Sequence, residues 1–283
     1  MIYRDCKSAA GFANPITVGL YKATNYSSIG TRQVYMTGKP VDITPCNSSG
    51  NCIEQATYID TVSLSANQTY GQIFTCGASQ RNNAIINLDL GVTQSNDKKS
   101  MGWQINIPSP NTYINSSPKL GNRLQNILAT NKKMILANNI FDADGDSLVY
   151  SFVTPYGSTS GTPGSGYAVQ PPLSSILCDW ASGYSATKPF GSNGSISIDS
   201  VTGKITLYAP SSNKYVVTIQ IDEYRTTPNQ SPVFMGETRR DYNLLHKLYP
   251  TIILLFLQIM VAPLPKLCTQ EKTIALIFQG LIL

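Results

Sequence analysis

Apolar and polar residues alternate along much of the chain with a period of two, which is the spacing of a β-strand buried on one face. Between Tyr215 and Ile221, for example, every second residue is apolar, whereas Thr218 and Gln220 occupy positions of the opposite face. Gly, Pro and Asn separate these segments at intervals typical of β-sandwiches. No segment has the apolar spacing of a long amphipathic helix, so the pattern predicts an all-β fold. The predicted strands are 16–21, 31–36, 56–64, 69–76, 101–107, 147–153, 195–198, 204–208, 214–222 and 233–242.

Two irregular segments interrupt this pattern. Residues 107–118 are rich in Pro, Asn and Ser and mark the predicted domain boundary. We therefore expect a β-sandwich over residues 1–118, truncated at its start, and a second over residues 119–243. Residues 155–172 are rich in Gly, Ser and Pro and interrupt the second domain. We expect them to form an exposed excursion, with a loop that contacts a ligand as the alternative.

The last segment, residues 244–283, differs in composition from the rest of the chain. It is rich in Leu and Ile and contains no Asn, Ser or Asp. Its apolar run, residues 251–262, is shorter than the ~20 residues that a transmembrane helix needs, so it is not a convincing membrane span. The segment is a membrane or partner-helix anchor, a buried terminal helix, or an out-of-frame tail. The abrupt change without a linker favours the third interpretation, a non-native or poorly ordered tail.

The charge of the chain argues against a nucleic-acid partner. Charged residues make up 13% of the 283 residues, and the formal net charge is +5. A surface that follows phosphates needs clustered cations, but Lys and Arg never stand more than two in a row. Low charge with abundant Ser, Thr and Asn is typical of a β-rich surface decorated with hydroxyl and amide groups.

Catalytic patterns are absent from the sequence, and we predict that the chain is not an enzyme. The single histidine, His246, lies in the divergent tail, so Ser-His-Asp or Cys-His catalysis has no suitable base. No Walker A, G-x-S-x-G, G-x-G-x-x-G or HExxH motif occurs. Two paired carboxylates would suffice for glycoside hydrolysis, but nothing in the sequence pairs them. We expect the scattered carboxylates to be surface groups: Glu54, Asp60, Asp89, Asp97 and Glu237.

The cysteines indicate an oxidising compartment. Cys46 and Cys52 enclose a short loop of Gly, Ser and Asn, of the kind that exported proteins close with a disulfide. Cys6 and Cys76 are candidates for a longer second bridge, and buried free thiols are the alternative. The first residues lack a charged segment followed by an apolar run, the pattern of a signal peptide. We therefore expect that the chain starts late or that the protein is cytosolic.

Asp142, Asp144 and Asp146 form the densest charge cluster in the sequence. Three carboxylates this close repel one another unless a cation or hydrogen-bond donors neutralise them, and oxygen ligands at this density suit Ca²⁺. The segment is not an EF-hand, because Ser147 and Val153 stand where that loop needs Gly and Glu. A calcium ion would lie where predicted strand 147–153 begins. The alternative is a turn with solvated carboxylates.

The same segment carries a resemblance to a known class of protein. Segments 142–151, 198–210 and 215–222 resemble, in this order, the motifs of cadherin-like, immunoglobulin-like modules of bacterial surface proteins. Segments 2–7, 81–84, 223–225 and 239–242, together with Trp180, resemble large secreted proteins of Bacteroidetes associated with gliding motility and type IX secretion.

This resemblance implies tandem immunoglobulin-like sandwiches in an exported protein that acts outside the cell. By motif position it adds Asp222, at the end of a strand, to the calcium candidates, with Glu223 adjacent. The expected function is structural or adhesive, with an extracellular glycan or protein surface as partner. The alternative is a carbohydrate-binding module appended to a secreted hydrolase, since aromatic side chains in loops can stack on sugars. We expect Trp180, however, to fill the sandwich core.

Overall fold

The computed structural model describes residues 2–5, 11–42, 53–64, 69–81, 84–89, 100–119, 127–158, 166–226 and 231–247. Within these residues the regular secondary structure consists of β-strands and one 3-10 turn, Leu173–Ser175, which confirms the all-β prediction. The strands are β1 (Ile2–Asp5), β2 (Ile16–Lys22), β3 (Ser28–Val34), β4 (Val41–Asp42), β5 (Ile53–Ala56), β6 (Gln72–Gln80), β7 (Ser100–Ile107), β8 (Ile127–Ala129), β9 (Lys133–Leu136), β10 (Ser147–Val153), β11 (Gly166–Tyr167), β12 (Ser195–Ile198), β13 (Ile205–Tyr208), β14 (Lys214–Arg225) and β15 (Val233–Lys247).

The chain divides into two compact units. The described residues of the smaller unit are 2–5, 11, 36–42 and 53–58, and they contain an antiparallel sheet of three strands in the order β1-β5-β4. The larger unit comprises residues 12–35 and 59–248 and contains the other described strands. The acidic cluster therefore lies within the larger unit.

One sheet of the larger unit has five strands in the order β3-β2-β11-β6-β7. The short strand β11 runs parallel to β2 and antiparallel to β6. Gly166 makes this pairing possible, because a Cβ atom there would come within 2.5 Å of the Ile16 side chain. The sheet thus joins strands from the first part of the chain to a strand from the segment after β10.

Two further sheets enclose the main hydrophobic core. One has the order β10-β14-β15-β8, and the other has the order β12-β13-β9. The alternation on β14 places Tyr215, Val217, Ile219 and Ile221 in the core, as the sequence pattern predicts. The facing sheet contributes residues from β9 and β13, and burial of both apolar faces explains why the sheets stack. Phe190 packs edge-on against Tyr215 with ring centroids 5.0 Å apart.

Most predicted strands exist, with shifts at their ends. The strand predicted over 56–64 is wrong, since β5 ends at Ala56 and the residues that follow form one isolated bridge, between Tyr58 and Met36. Asp60 lies instead in an ion pair with Arg32, which fixes this segment through a side chain. The sequence pattern does not predict the short strands β1, β4, β8, β9 and β11. A strand of two to four residues is too short to show a period of two.

β15 is longer than predicted and ends at Lys247, past the compositional change at residue 244. Leu244 lies opposite Tyr215 and is buried in the core with an exposed fraction of 3%. Residues 248–283 lie outside the described part of the chain. The assignment of residues 244–283 as an aberrant tail and the division into domains 1–118 and 119–243 stay predictions.

Candidate metal centre

The acidic loop before β10 gathers the predicted carboxylates at one point. Oxygen atoms of Asp142, Asp144 and Asp146 all lie within 4.8 Å of one another. Asp142 Oδ1 accepts hydrogen bonds from the backbone amides of Asp144 (2.9 Å) and Asp146 (3.1 Å), which curls the loop around this side chain. Gly145 has a φ of +82°, a conformation that favours glycine, so the sequence Asp-Gly-Asp fits this turn. The cluster therefore forms through local backbone geometry.

Asp144 and Asp146 are held by groups from other parts of the chain. Ser116 donates to Asp144 from its backbone amide (2.5 Å) and from its hydroxyl group (3.2 Å). Arg225, at the end of β14, donates to Asp146 from Nε (2.7 Å) and from Nη2 (2.6 Å). These donors satisfy both oxygens of each carboxylate. The loop is thus linked to the segment after β7 and to the end of β14.

Asp142 Oδ2 differs from the other carboxylate oxygens of the cluster. It is buried and has no hydrogen-bond partner. An unsatisfied carboxylate oxygen in the interior is costly, because it has lost its hydration without gaining a donor or a cation. A metal ion among these three side chains would remove this cost, so the donor set and the unpaired oxygen both fit a cation that binds oxygen ligands.

Glu223 is a fourth acidic group beside the cluster, and its side chain is buried with an exposed fraction of 2%. Asn115 donates to Glu223 Oε1 at 2.5 Å. Burial raises the pKa of Glu223 to about 7; the Asn115 hydrogen bond opposes this rise, and the negative charges of Asp142 and Asp146 add to it. Glu223 therefore gains a full negative charge only as the pH rises past neutrality, or when a cation stabilises that charge.

Asp222, which the resemblance assigns as a calcium ligand, is not among the clustered carboxylates. It lies opposite Glu237 in the pairing of β14 with β15 and accepts a hydrogen bond from Gln220 Nε2 at 2.9 Å. Burial, with a smaller contribution from Glu237, raises its pKa. Successive side chains of a strand point to opposite faces, so Glu223 faces the cluster and Asp222 faces away from it.

Sequence reasoning did not identify Arg225, Asn115 or Ser116 as part of this site. A period-two count could have found Arg225, since it follows Glu223 by two positions on the same strand. Asn115 and Ser116 lie in an irregular segment, where no periodicity indicates which way a side chain points. Their part in the site follows from tertiary structure alone.

Other predicted residues lie away from the acidic cluster. Cys6, Cys46 and Cys52 are outside the described residues, so the Cys46–Cys52 disulfide stays a prediction. Cys76, for which the sequence leaves open a bridge to Cys6 or a buried free thiol, carries a free thiol on β6, and burial raises its pKa to about 12. Trp180 packs beside a small buried cluster formed by Ile85, Leu88, Cys178 and Val216, and its indole nitrogen donates to Thr154 Oγ1 at 3.0 Å.

A second charged network lies on the face of β14 and β15 opposite the main core. Arg81 has a side chain that is 1% exposed and forms an ion pair with Asp241 at 2.6 Å. Arg239 pairs with Glu237 at 2.7 Å, and its guanidinium lies 3.8 Å from the centre of the Tyr156 ring. Tyr156 also donates to Glu237 Oε1 at 3.1 Å. These contacts link loops to the sheet, and they pair the charged side chains of its polar face with one another.

Comparisons with known proteins add no assignment. The chain matches no protein-family model, no curated protein and no solved structure. Within the described part of the chain, no helix has the length and apolar character to cross a membrane.

Proposed function

We propose that the chain is a non-enzymatic, structural and adhesive region of a bacterial cell-surface or secreted protein, stabilised by calcium at Asp142, Asp144 and Asp146. The buried, unpartnered Oδ2 atom of Asp142 within this group of carboxylates is the observation that carries the calcium proposal.

The balance of charge supports a cation at this position. The three aspartates bring three negative charges, Glu223 adds a fourth when it ionises, and Arg225 supplies one positive charge. The local excess is thus negative by two or three charges. Ca²⁺ takes six to eight oxygen ligands in flexible geometry, so it can combine these carboxylates with backbone carbonyls and water.

A calcium ion here would act mechanically. Its ligands lie in the loop before β10, and the residues that hold those ligands lie in the segment after β7 and at the end of β14. Neutralising the repulsion between these carboxylates would stabilise the acidic loop at the start of β10. This effect suits a surface module that must resist unfolding, and it requires no catalytic group.

The extracellular setting and the tandem immunoglobulin-like arrangement rest on the sequence resemblance. The all-β fold and the two sheets that enclose one apolar core support a sandwich architecture. The adhesive role implies an extracellular glycan or protein surface as partner. Arrays of immobilised glycans and of extracellular matrix proteins, probed with the purified chain, test this role; retention on neither would count against adhesion.

The calcium proposal is tested by thermal unfolding of the full chain in EDTA and in millimolar CaCl₂. We expect calcium to raise the melting temperature, because a ligand that binds only the folded state stabilises it by mass action. Asp142→Asn keeps the Oδ1 acceptor but removes the unpaired charge, and it should abolish the rise. Asp199→Asn is the matched control, since Asp199 caps an exposed turn through backbone amides and lies outside the cluster. An unchanged melting temperature in the parent would refute the proposal.

A further inference from the structure

Arg225 occupies a cationic position among the clustered carboxylates. Besides its two bonds to Asp146, its Nη2 atom lies 3.3 Å from Asp144 Oδ2. The Asp146 side chain is 2% exposed, and the two short bonds to it form a bidentate pair. Such charge-assisted pairs are among the stronger hydrogen-bonded contacts in proteins.

The guanidinium group is also anchored from its other side. Nη1 donates to the backbone carbonyl of Ile114 at 2.8 Å, and Nη2 donates to Asn115 Oδ1 at 2.8 Å. Asn115 donates in turn to Glu223, so one amide side chain orients both the arginine and the buried acid. Arg225 is therefore positioned by several fixed contacts next to the acidic loop.

We infer that Arg225 is a built-in competitor of calcium, which holds Asp144 and Asp146 in the metal-free protein and must release them when the ion binds. This inference rests on the proposed calcium function. The physical reason is that one oxygen cannot accept a short bond from a guanidinium and coordinate Ca²⁺ along the same lone pair, and the two cations repel.

The competition has a functional consequence. Displacing a bidentate arginine weakens calcium binding, which moves the site toward the range of extracellular modules, about 10⁻⁴–10⁻³ M. At the low calcium concentrations inside a cell, Arg225 would hold three parts of the chain together: the acidic loop, the end of β14, and the segment that follows β7. Outside the cell, calcium would take over this role. Arg225 thus acts as a positioning residue that sets the calcium affinity.

The test is isothermal titration of CaCl₂ into the full chain, after removal of metal with EDTA, for the parent and three variants. Arg225→Met removes the charge and its donors at similar volume, and Arg225→Lys keeps the charge but loses the bidentate geometry. Arg239→Met is the matched control, because Arg239 is likewise partly buried and ion-paired, here with Glu237, but lies on the opposite face of the sheet formed by β14 and β15.

We expect Arg225→Met to lower the calcium dissociation constant roughly 10- to 100-fold, the range that corresponds to losing one competing charged hydrogen-bonded contact. The dissociation constant of Arg225→Lys should lie between those of Arg225→Met and the parent, and that of Arg239→Met should equal that of the parent. In EDTA, Arg225→Met should melt below the parent, and calcium should restore its melting temperature. If Arg225→Met does not fold without calcium, the Lys variant carries the comparison.

The outcomes separate the two proposals. Equal dissociation constants for the parent and both Arg225 variants would overturn the competition and leave the calcium site standing. Binding by Arg225→Met alone would support the competition and refute a calcium role in the parent. Absence of binding in every protein would overturn both.

Discussion

Asp222 and Glu223 are consecutive in the chain, yet their carboxylates belong to different charge networks on opposite faces of β14. Glu223 is buried beside Asp142 and Asp146, whereas Asp222 lies across from Glu237. A one-residue shift along a strand exchanges its faces, so the register of β14 decides which of the two carboxylates lies beside the acidic cluster.

The first prediction follows from this separation. Asp222→Asn should leave the calcium-induced rise in melting temperature unchanged, because Asp222 is outside the clustered carboxylates. Asp144→Asn should remove most of the rise. Differential scanning calorimetry of the two variants in EDTA and in CaCl₂ is the measurement. Loss of the response in Asp222→Asn with retention in Asp144→Asn would mean that the ligands lie on the other face.

The second prediction concerns the pH dependence of stability in EDTA. Glu223 binds its proton more tightly in the folded state, with a pKa of about 7 against an ordinary value of 4.5. The protonated Glu223 side chain therefore makes its full contribution to the free energy of unfolding below about pH 4.5, and this contribution is lost as the pH rises through 7. Glu223→Gln should remove this loss, so its stability relative to the parent should increase between pH 5 and pH 8.

The expected gain is a few kcal/mol at most, since each pKa unit corresponds to about 1.4 kcal/mol. Urea unfolding of the parent and of Glu223→Gln at pH 5, 6, 7 and 8 measures the difference. Subtracting one curve from the other cancels the titration of Asp222, whose pKa is also raised. A difference that is constant across this range would show that Glu223 has an ordinary pKa.

The third prediction concerns the buried ion pair of Arg81 with Asp241. Arg81 also donates to the carbonyls of Ser100 and Tyr156 at 2.8 and 2.9 Å. Arg81→Met removes one donor from each of these carbonyls and the cation that pairs with the Asp241 carboxylate, which keeps its hydrogen bond from Thr218 Oγ1. We expect a loss of about 3–5 kcal/mol in the free energy of unfolding. Arg32→Met is the control, because the Arg32–Asp60 pair is exposed and should matter little. Similar losses in both variants, measured by urea unfolding, would contradict this assignment.

The fourth prediction concerns the end of β15. A chain that ends at Lys247 should be more stable than one that ends at Asn243, because Leu244 is buried and pairs with Tyr215. Removing a buried leucine side chain alone costs about 2–5 kcal/mol. Thermal unfolding of the two truncated chains measures the difference. Equal melting temperatures would indicate that the native strand ends at residue 243.

The sequence by itself determined the fold class, most of the strands and the acidic cluster. These features depend on local patterns: alternation sets which residues of β14 enter the core, and the spacing of Asp142, Asp144 and Asp146 around Gly145 forms a turn without help from distant residues. Such information is contained in a few consecutive residues, so a single sequence shows it.

Only the tertiary structure decided which groups complete the site. Arg225 follows the cluster by about eighty positions in the chain, and the pairing of β10 with β14 brings it to the acidic loop. Asn115 precedes the cluster and joins it through hydrogen bonds with Arg225 and Glu223. The same strand pairing places Glu223 beside the cluster and turns Asp222 to the other face of β14, a difference that depends on strand register. The role of Asp222 as a calcium ligand stays a prediction. Long-range register arises from packing of whole sheets, and for that reason local sequence patterns do not contain it.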